Sequence, residues 1–79
     1  MRLDKYLKVS KIIKRRTVAN EACDAGRVEV NGKVARASYD VKVGDEIKVS
    51  LGSGSRSYRV TAVAEHALKD DAAKMYEIL

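Results

Sequence analysis

Residues 26–35 run Gly26-Arg27-Val28-Glu29-Val30-Asn31-Gly32-Lys33-Val34-Ala35, and the fold is decided there. From Arg27 to Val30 polar and apolar side chains alternate, the period of a strand with one face turned to a core. Asn31-Gly32 is the pair best suited to a type I′ turn, because both positions tolerate positive φ, so a tight hairpin returns through Lys33-Val34-Ala35. Upstream the period is helical. Val18 with Ala22, and Ala19 with Cys23, stand four residues apart, and Gly26 supplies the left-handed conformation that ends the helix. Thr17 is placed to accept a hydrogen bond from the first amides of that helix.

Toward the N-terminus Leu3, Leu7, Ile12 and Ile13 recur near helical spacing, with Lys5, Lys8, Lys11 and Arg15 three or four apart on a neighbouring face. This predicts a first helix over residues 2–9, with residues 10–16 either its continuation or a basic loop. In the other direction, Val41-Lys42-Val43 leads to a turn at Gly44-Asp45, and residues 46–51 alternate cleanly as a strand. Gly52-Ser53-Gly54-Ser55 reads as a flexible link to a last strand over residues 56–63. The tail, residues 70–79, is either a short helix carrying Ala72, Ala73, Met75, Tyr76 and Leu79 or a helical turn followed by an extended segment from Tyr76. The fold class that follows is α+β: two N-terminal helices packed on a small, twisted, mainly antiparallel sheet.

With 79 residues, 46% hydrophobic and 34% charged, the chain reads as a single domain over residues 1–79. Four Tyr and no Phe or Trp leave the core to Val, Ile, Leu and Ala. So small a volume houses a multi-residue active site poorly. There is no metal cluster, no nucleophile beside a base and no phosphate loop, so neither enzymatic activity nor a cofactor or metal is expected, nor a small-molecule substrate. Cys23 cannot form an internal disulfide and reads as a small buried apolar residue. His66 lies near no catalytic partner and reads as a surface residue. No run approaches the roughly 20 apolar residues of a membrane span, and no apolar segment of a signal peptide follows the basic start, so the expected location is cytoplasmic.

The net charge is +5, and its placement matters more than its size. Residues 1–16 hold Arg2, Lys5, Lys8, Lys11, Lys14, Arg15 and Arg16 against one acid, Asp4, while the other 63 residues are close to neutral. One segment therefore presents a directed field suited to a polyanion. Charged helix faces are commonly no more than solvated surface. A basic amphipathic segment could also serve a membrane surface or an acidic protein, but the apolar side here is small and lacks Trp or Phe.

RLDKYL at residues 2–7, a basic loop ending KRRT at 14–17, AGRVEVNGKVA at 25–35 and YDVKVGDEI at 39–47 follow one another at a spacing that resembles the RNA-binding domain first recognised in ribosomal small-subunit protein four. The likeness covers residues 1–51, with a C-terminal strand and tail over 52–79. It implies the alpha-L RNA-binding motif, a two-helix, curved-sheet fold that meets structured RNA with its helical face. Larger relatives join this domain to a catalytic unit, whereas here the whole chain is expected to be the binding module. Among stand-alone members, the opening RLDKYLKVS and the ending MYEIL are similar to the ribosome-associated quality-control branch, and the longer basic C-terminal extension of the heat-shock branch is not seen. That implies a monomer whose partners are large-subunit ribosomal RNA, peptidyl-tRNA on the obstructed large subunit, and a factor that tails the stalled chain, chiefly with alanine. The heat-shock branch would instead imply ribosome recycling or large-subunit assembly.

The family pattern has Ser-Arg where the second helix begins, and Arg15-Arg16 stands here, so the hydroxyl cap is lost or shifted to Thr17. Arg16 is kept. Arg2 and Arg16 lead the candidate RNA contacts, since a guanidinium binds phosphate bidentately or stacks on a base. Lys5, Lys8, Lys11 and Lys14 are expected to track the backbone, and Arg15 to serve either role. Asp4, an acid amid cations, is expected to cap the first helix or hold Arg2 or Arg16 in place, with a direct contact to RNA hydroxyls as the alternative. Asn31 and Gly32 read as structural, and Tyr6 as core-facing or half buried.

Overall fold

The computed structural model describes residues 1–64 and 69–79. Helix α1, Leu3–Val9, buries Leu3, Tyr6 and Leu7 together with Asp4. Helix α2, Arg16–Asp24, buries Ala19, Ala22 and Cys23, and these small side chains let it lie against both α1 and the first strand. Residues 10–15 are a loop, which settles the alternative left open by the periodicity.

What ends each helix explains the path of the chain. After α2, Gly26 adopts φ +74°, its N–H donates to the Cys23 carbonyl (3.0 Å) and the Arg27 N–H to the Ala22 carbonyl (2.9 Å), the two bonds of a Schellman motif. After α1 the corresponding position is Lys11, at φ +66°, with its N–H on the Lys8 carbonyl (3.1 Å). A lysine there bears a backbone strain that glycine would avoid. Thr17 does not cap α2: the helix starts one residue earlier, Arg15 is the capping position, and no side chain closes it.

The sheet has five strands, β1 (Val28–Val30), β2 (Lys33–Val34), β3 (Glu46–Leu51), β4 (Gly54–Val60) and β5 (Tyr76–Ile78), in the order β2-β1-β3-β4-β5, with every pairing antiparallel. The β1–β2 turn is as the sequence demands, with Asn31 at φ +52° and Gly32 at +84°. The register places Val28 opposite Val49, Val30 opposite Ile47 and Ile47 opposite Tyr58, so one face is apolar beneath the helices. The other face sets Glu29 against Lys48 and Arg59 against Glu77, opposite charges directly across the ladder.

Two expectations are corrected. Residues 52–55 are not a flexible link: Leu51 pairs with Gly54, and Gly52 at φ +62° turns the chain in two residues, as glycine does at the first central position of a II′ turn. The following strand ends at Val60 rather than Val63. Of the two readings of the tail, the second holds, with a helical turn at Lys69–Ala72, a 3-10 turn at Ala73–Met75, and then β5. Met75 is buried, and its carbonyl accepts the Tyr6 hydroxyl (2.7 Å) and the amides of Thr61 (2.9 Å) and Ala62 (3.2 Å). Tyr6 thus belongs to the core, and burial pushes its phenol well above the ordinary range. Cys23 is buried as expected, and burial raises its thiol to about 11. His66 lies outside the described residues.

Candidate nucleic-acid interface

The interface is built around the start of α1. A helix leaves its first amides without intrahelical partners, and here the main chain of a distant segment supplies them. The Leu3 N–H donates to the Tyr39 carbonyl (2.8 Å) and the Asp4 N–H to the Ala37 carbonyl (3.2 Å), while Arg2 and Asp40 form an antiparallel bridge. The N-cap residue itself, Arg2, makes no side-chain cap.

The Asp4 carboxylate is instead the hub of the site. Its Oδ1 accepts the Lys5 N–H (2.8 Å) and Arg2 Nε (3.2 Å), and its Oδ2 accepts Asn20 Nδ2 (3.2 Å), Arg16 Nε (3.4 Å) and Arg2 Nη2 (3.5 Å). Burial alone would raise this carboxyl. The hydrogen bonds from Asn20, Arg2, the Lys5 amide and Arg16 outweigh burial and hold it below its usual value, so it is a carboxylate at neutral pH.

The exposures give this arrangement its meaning. The Asp4 side chain is 3% exposed, whereas those of Arg2 and Arg16 are 52% and 49% exposed. A buried anion therefore grips two guanidinium groups by one edge each and leaves their outer parts in solvent. Arg16 uses only Nε on Asp4, so its two terminal nitrogens remain for an outside acceptor. A cation pair fixed in this way loses less side-chain freedom on meeting phosphate than two unrestrained arginines would.

Of the candidate residues, Arg2, Asp4 and Arg16 are brought into contact. Lys8 is exposed on α1, Lys11, Lys14 and Arg15 are exposed on the loop between the helices, and Lys5 is partly buried. Asn20 was not foreseen, although its place one turn after Arg16 on the same helix face is the signal that could have found it. A depression of ≈ 360 Å³ beside the hub is lined by Asp4, Arg16, Thr17, Asn20 and Glu21. The apolar side of α1 is spent on the core, with Leu3, Tyr6 and Leu7 all 0% exposed, so it offers nothing to a bilayer. No helix among the described residues is long and apolar enough to cross a membrane.

Two helices on an antiparallel sheet, carrying paired arginines fixed on one buried acid, define a small α+β module with a cationic helical face. The S4 domain model matches residues 1–47, and the chain belongs to that family. The RQC P-site tRNA stabilizing factor of Streptococcus pneumoniae is 52% identical over 79 residues, covering all of this chain and 90% of that protein. That of Bacillus subtilis is 51% identical over 79 residues, covering all of this chain and 92% of its own length. Among solved structures, trimeric Heat Shock Protein 15 of Vibrio cholerae superposes with a TM-score of 0.92 at 25% identity, over all of this chain and 81% of that one.

Proposed function

We propose that this chain is an RNA-binding accessory factor of ribosome quality control, without catalytic activity of its own, that holds tRNA at the P-site of the large ribosomal subunit. Its helical face meets the phosphates of ribosomal RNA and of peptidyl-tRNA, with Arg2 and Arg16 as the fixed contacts and Lys5, Lys8, Lys11, Lys14 and Arg15 adding electrostatic attraction. Asp4 is a positioning residue. Holding the tRNA in place supports C-terminal alanine tailing of the stalled chain by a partner factor, and the protein acts as a cytoplasmic monomer. The observation that carries this reading is the Asp4-centred clamp on two half-exposed arginines, and the names and full-length identity of the relatives from two species support it.

The test is co-sedimentation with large subunits that carry peptidyl-tRNA and with empty large subunits, at two salt concentrations. Tighter, salt-sensitive association with the tRNA-bearing particle is expected, and its weakening in Arg2→Ala/Arg16→Ala. Equal binding of the double variant, or indifference to both particles, overturns the proposal. The likeness to Heat Shock Protein 15 favours a second reading, ribosome recycling or large-subunit assembly. Normal tailing of stalled chains in a strain lacking the protein, with large subunits accumulating unrecycled, would select it.

A further inference from the structure

The β1–β2 hairpin and the segment after it form a cleft of ≈ 660 Å³ that the helical face does not use. Its size falls within the roughly 300–1,000 Å³ of small-ligand sites. Lys33, Val34, Arg36, Ser38 and Tyr39 contribute to its lining, and the described lining includes two cations and no carboxylate. Val34 is 63% exposed, so the cleft offers apolar surface as well as charge.

The cleft is held in shape. The Tyr39 hydroxyl donates to Asp45 Oδ2 (3.0 Å), which also accepts the Lys42 N–H (3.0 Å), while Asn31 Nδ2 donates to Asp45 Oδ1 (3.1 Å). Of the two acids that act on the Tyr39 phenol, Asp45 is thereby occupied by donors and Asp40 by the N-terminal amine (2.7 Å), and the tyrosine is tethered. Asn31 Oδ1 in turn accepts the Glu46 N–H (3.0 Å), locking the hairpin tip to β3. The same segment that supplies Tyr39 closes the start of α1 through the Tyr39 and Ala37 carbonyls, so one wall of the cleft is hydrogen-bonded to the first turn of that helix.

We propose that this cleft receives one unpaired nucleotide of the bound RNA, with its base against Val34 and the Tyr39 ring and its flanking phosphates toward Lys33 and Arg36. The inference rests on the RNA-binding reading above and adds a recognition element to it. A paired stem offers phosphates but no free base, and proteins that discriminate among RNAs do so largely on unstacked bases laid on aromatic side chains. An apolar and aromatic lining that also carries two cations matches a base with its flanking phosphates.

The test is fluorescence anisotropy of the full chain with three blunt RNA duplexes of one sequence: fully paired, with a single unpaired nucleotide, and with that nucleotide abasic. The bulged duplex is expected to bind roughly tenfold tighter than the other two, the scale of one base stacked on an aromatic side chain. Lys33→Ala/Arg36→Ala, changes at two exposed positions, is expected to erase that preference while binding the paired duplex nearly as before, and Arg16→Ala to weaken all three duplexes alike. Equal binding of paired and bulged duplexes, or a preference that survives either the abasic site or the double variant, overturns the inference while leaving the helical face intact. Salt-insensitive binding to every duplex with Arg16→Ala inert overturns both readings. Capture of polyglutamate in place of the bulge preference, abolished by Lys33→Ala/Arg36→Ala, would assign the cleft to an acidic peptide instead.

Discussion

Asp4→Asn isolates what the buried carboxylate does, because it removes one charge without touching any cation. Oδ2, which now accepts from Asn20, Arg16 and Arg2, would become an amide donor facing donors, while the Oδ1 contacts to the Lys5 N–H and Arg2 remain possible. A buried polar group left unsatisfied costs about 1–3 kcal/mol, and the lost charge-assisted bonds are discounted here because both arginines are half exposed and can hydrate. A loss of about 2–3 kcal/mol lowers the melting temperature of a domain this size by roughly 10–20 °C. Total stability is on the order of 4–12 kcal/mol, so the variant stays folded at 25 °C.

Two effects on RNA affinity then oppose one another. Releasing Arg16, and leaving Arg2 on a single neutral acceptor, adds up to about 0.5–1.5 kcal/mol of ordering cost for each. Removing a negative charge about one Debye length, roughly 8 Å, from a phosphate relieves a repulsion worth under about 1 kcal/mol after screening. Ordering therefore wins, and affinity for large subunits is expected to fall about fivefold. The slope of affinity against salt should not change, since the cations that displace counterions are all still present. Filter binding at four salt concentrations, with thermal melts of the same samples, reads both quantities. Unchanged or tighter binding in a folded Asp4→Asn protein would refute the positioning argument, and a shallower salt slope would show that cations had been lost from the interface instead.

Arg16→Ala should behave in the complementary way, with affinity falling by about 1–3 kcal/mol, a salt slope shallower by about one unit, and a melting temperature shifted by only a few degrees. Because the folded Asp4 carboxyl sits below its ordinary value, its contribution is fully present above about pH 4 and is lost as pH falls through the folded value; acid titration of stability should show this in the wild type and a flatter profile in Asp4→Asn. Lys11→Gly should stabilise the protein by about 0.5–1 kcal/mol in urea, the relief of left-handed strain less the extra unfolded-state freedom of glycine, and a loss of stability would contradict that reading of φ +66°. Cys23, at about 11 and buried, should react with a thiol reagent at pH 8 only as fast as the protein unfolds, and prompt labelling of the folded protein would count against its burial.

The elements most legible in the sequence were those whose conformational demand is local. Gly26 and Asn31-Gly32 announce positive φ by residue type, and the alternation from Glu46 to Leu51 announces a strand, so helix end, hairpin and sheet face all follow. Lys11 takes the same backbone region with a residue that gives no such notice, and its conformation could be seen only in three dimensions. Gly52-Ser53 misleads for the opposite reason: a glycine-serine run reads as a flexible linker, yet it makes a tight turn here. At the site, an acid among cations suggested that Asp4 caps the first helix or holds Arg2 or Arg16, and its carboxylate bonds the Lys5 amide and both arginines. The amides of α1 closed by residues 37–39, and the part of Asn20, depend on contacts between segments distant in sequence, which no local pattern records.

The Tyr6–Met75 hydrogen bond joins residues 69 apart, the first helix to the last turn before β5. Closing so long a loop is slow, and its entropic cost is met only when non-local contacts reward it. During synthesis the basic helix therefore leaves the ribosome well before the partner that anchors its inner face exists. The nascent chain passes through a stage in which a cationic segment with an unsheltered tyrosine travels beside ribosomal RNA.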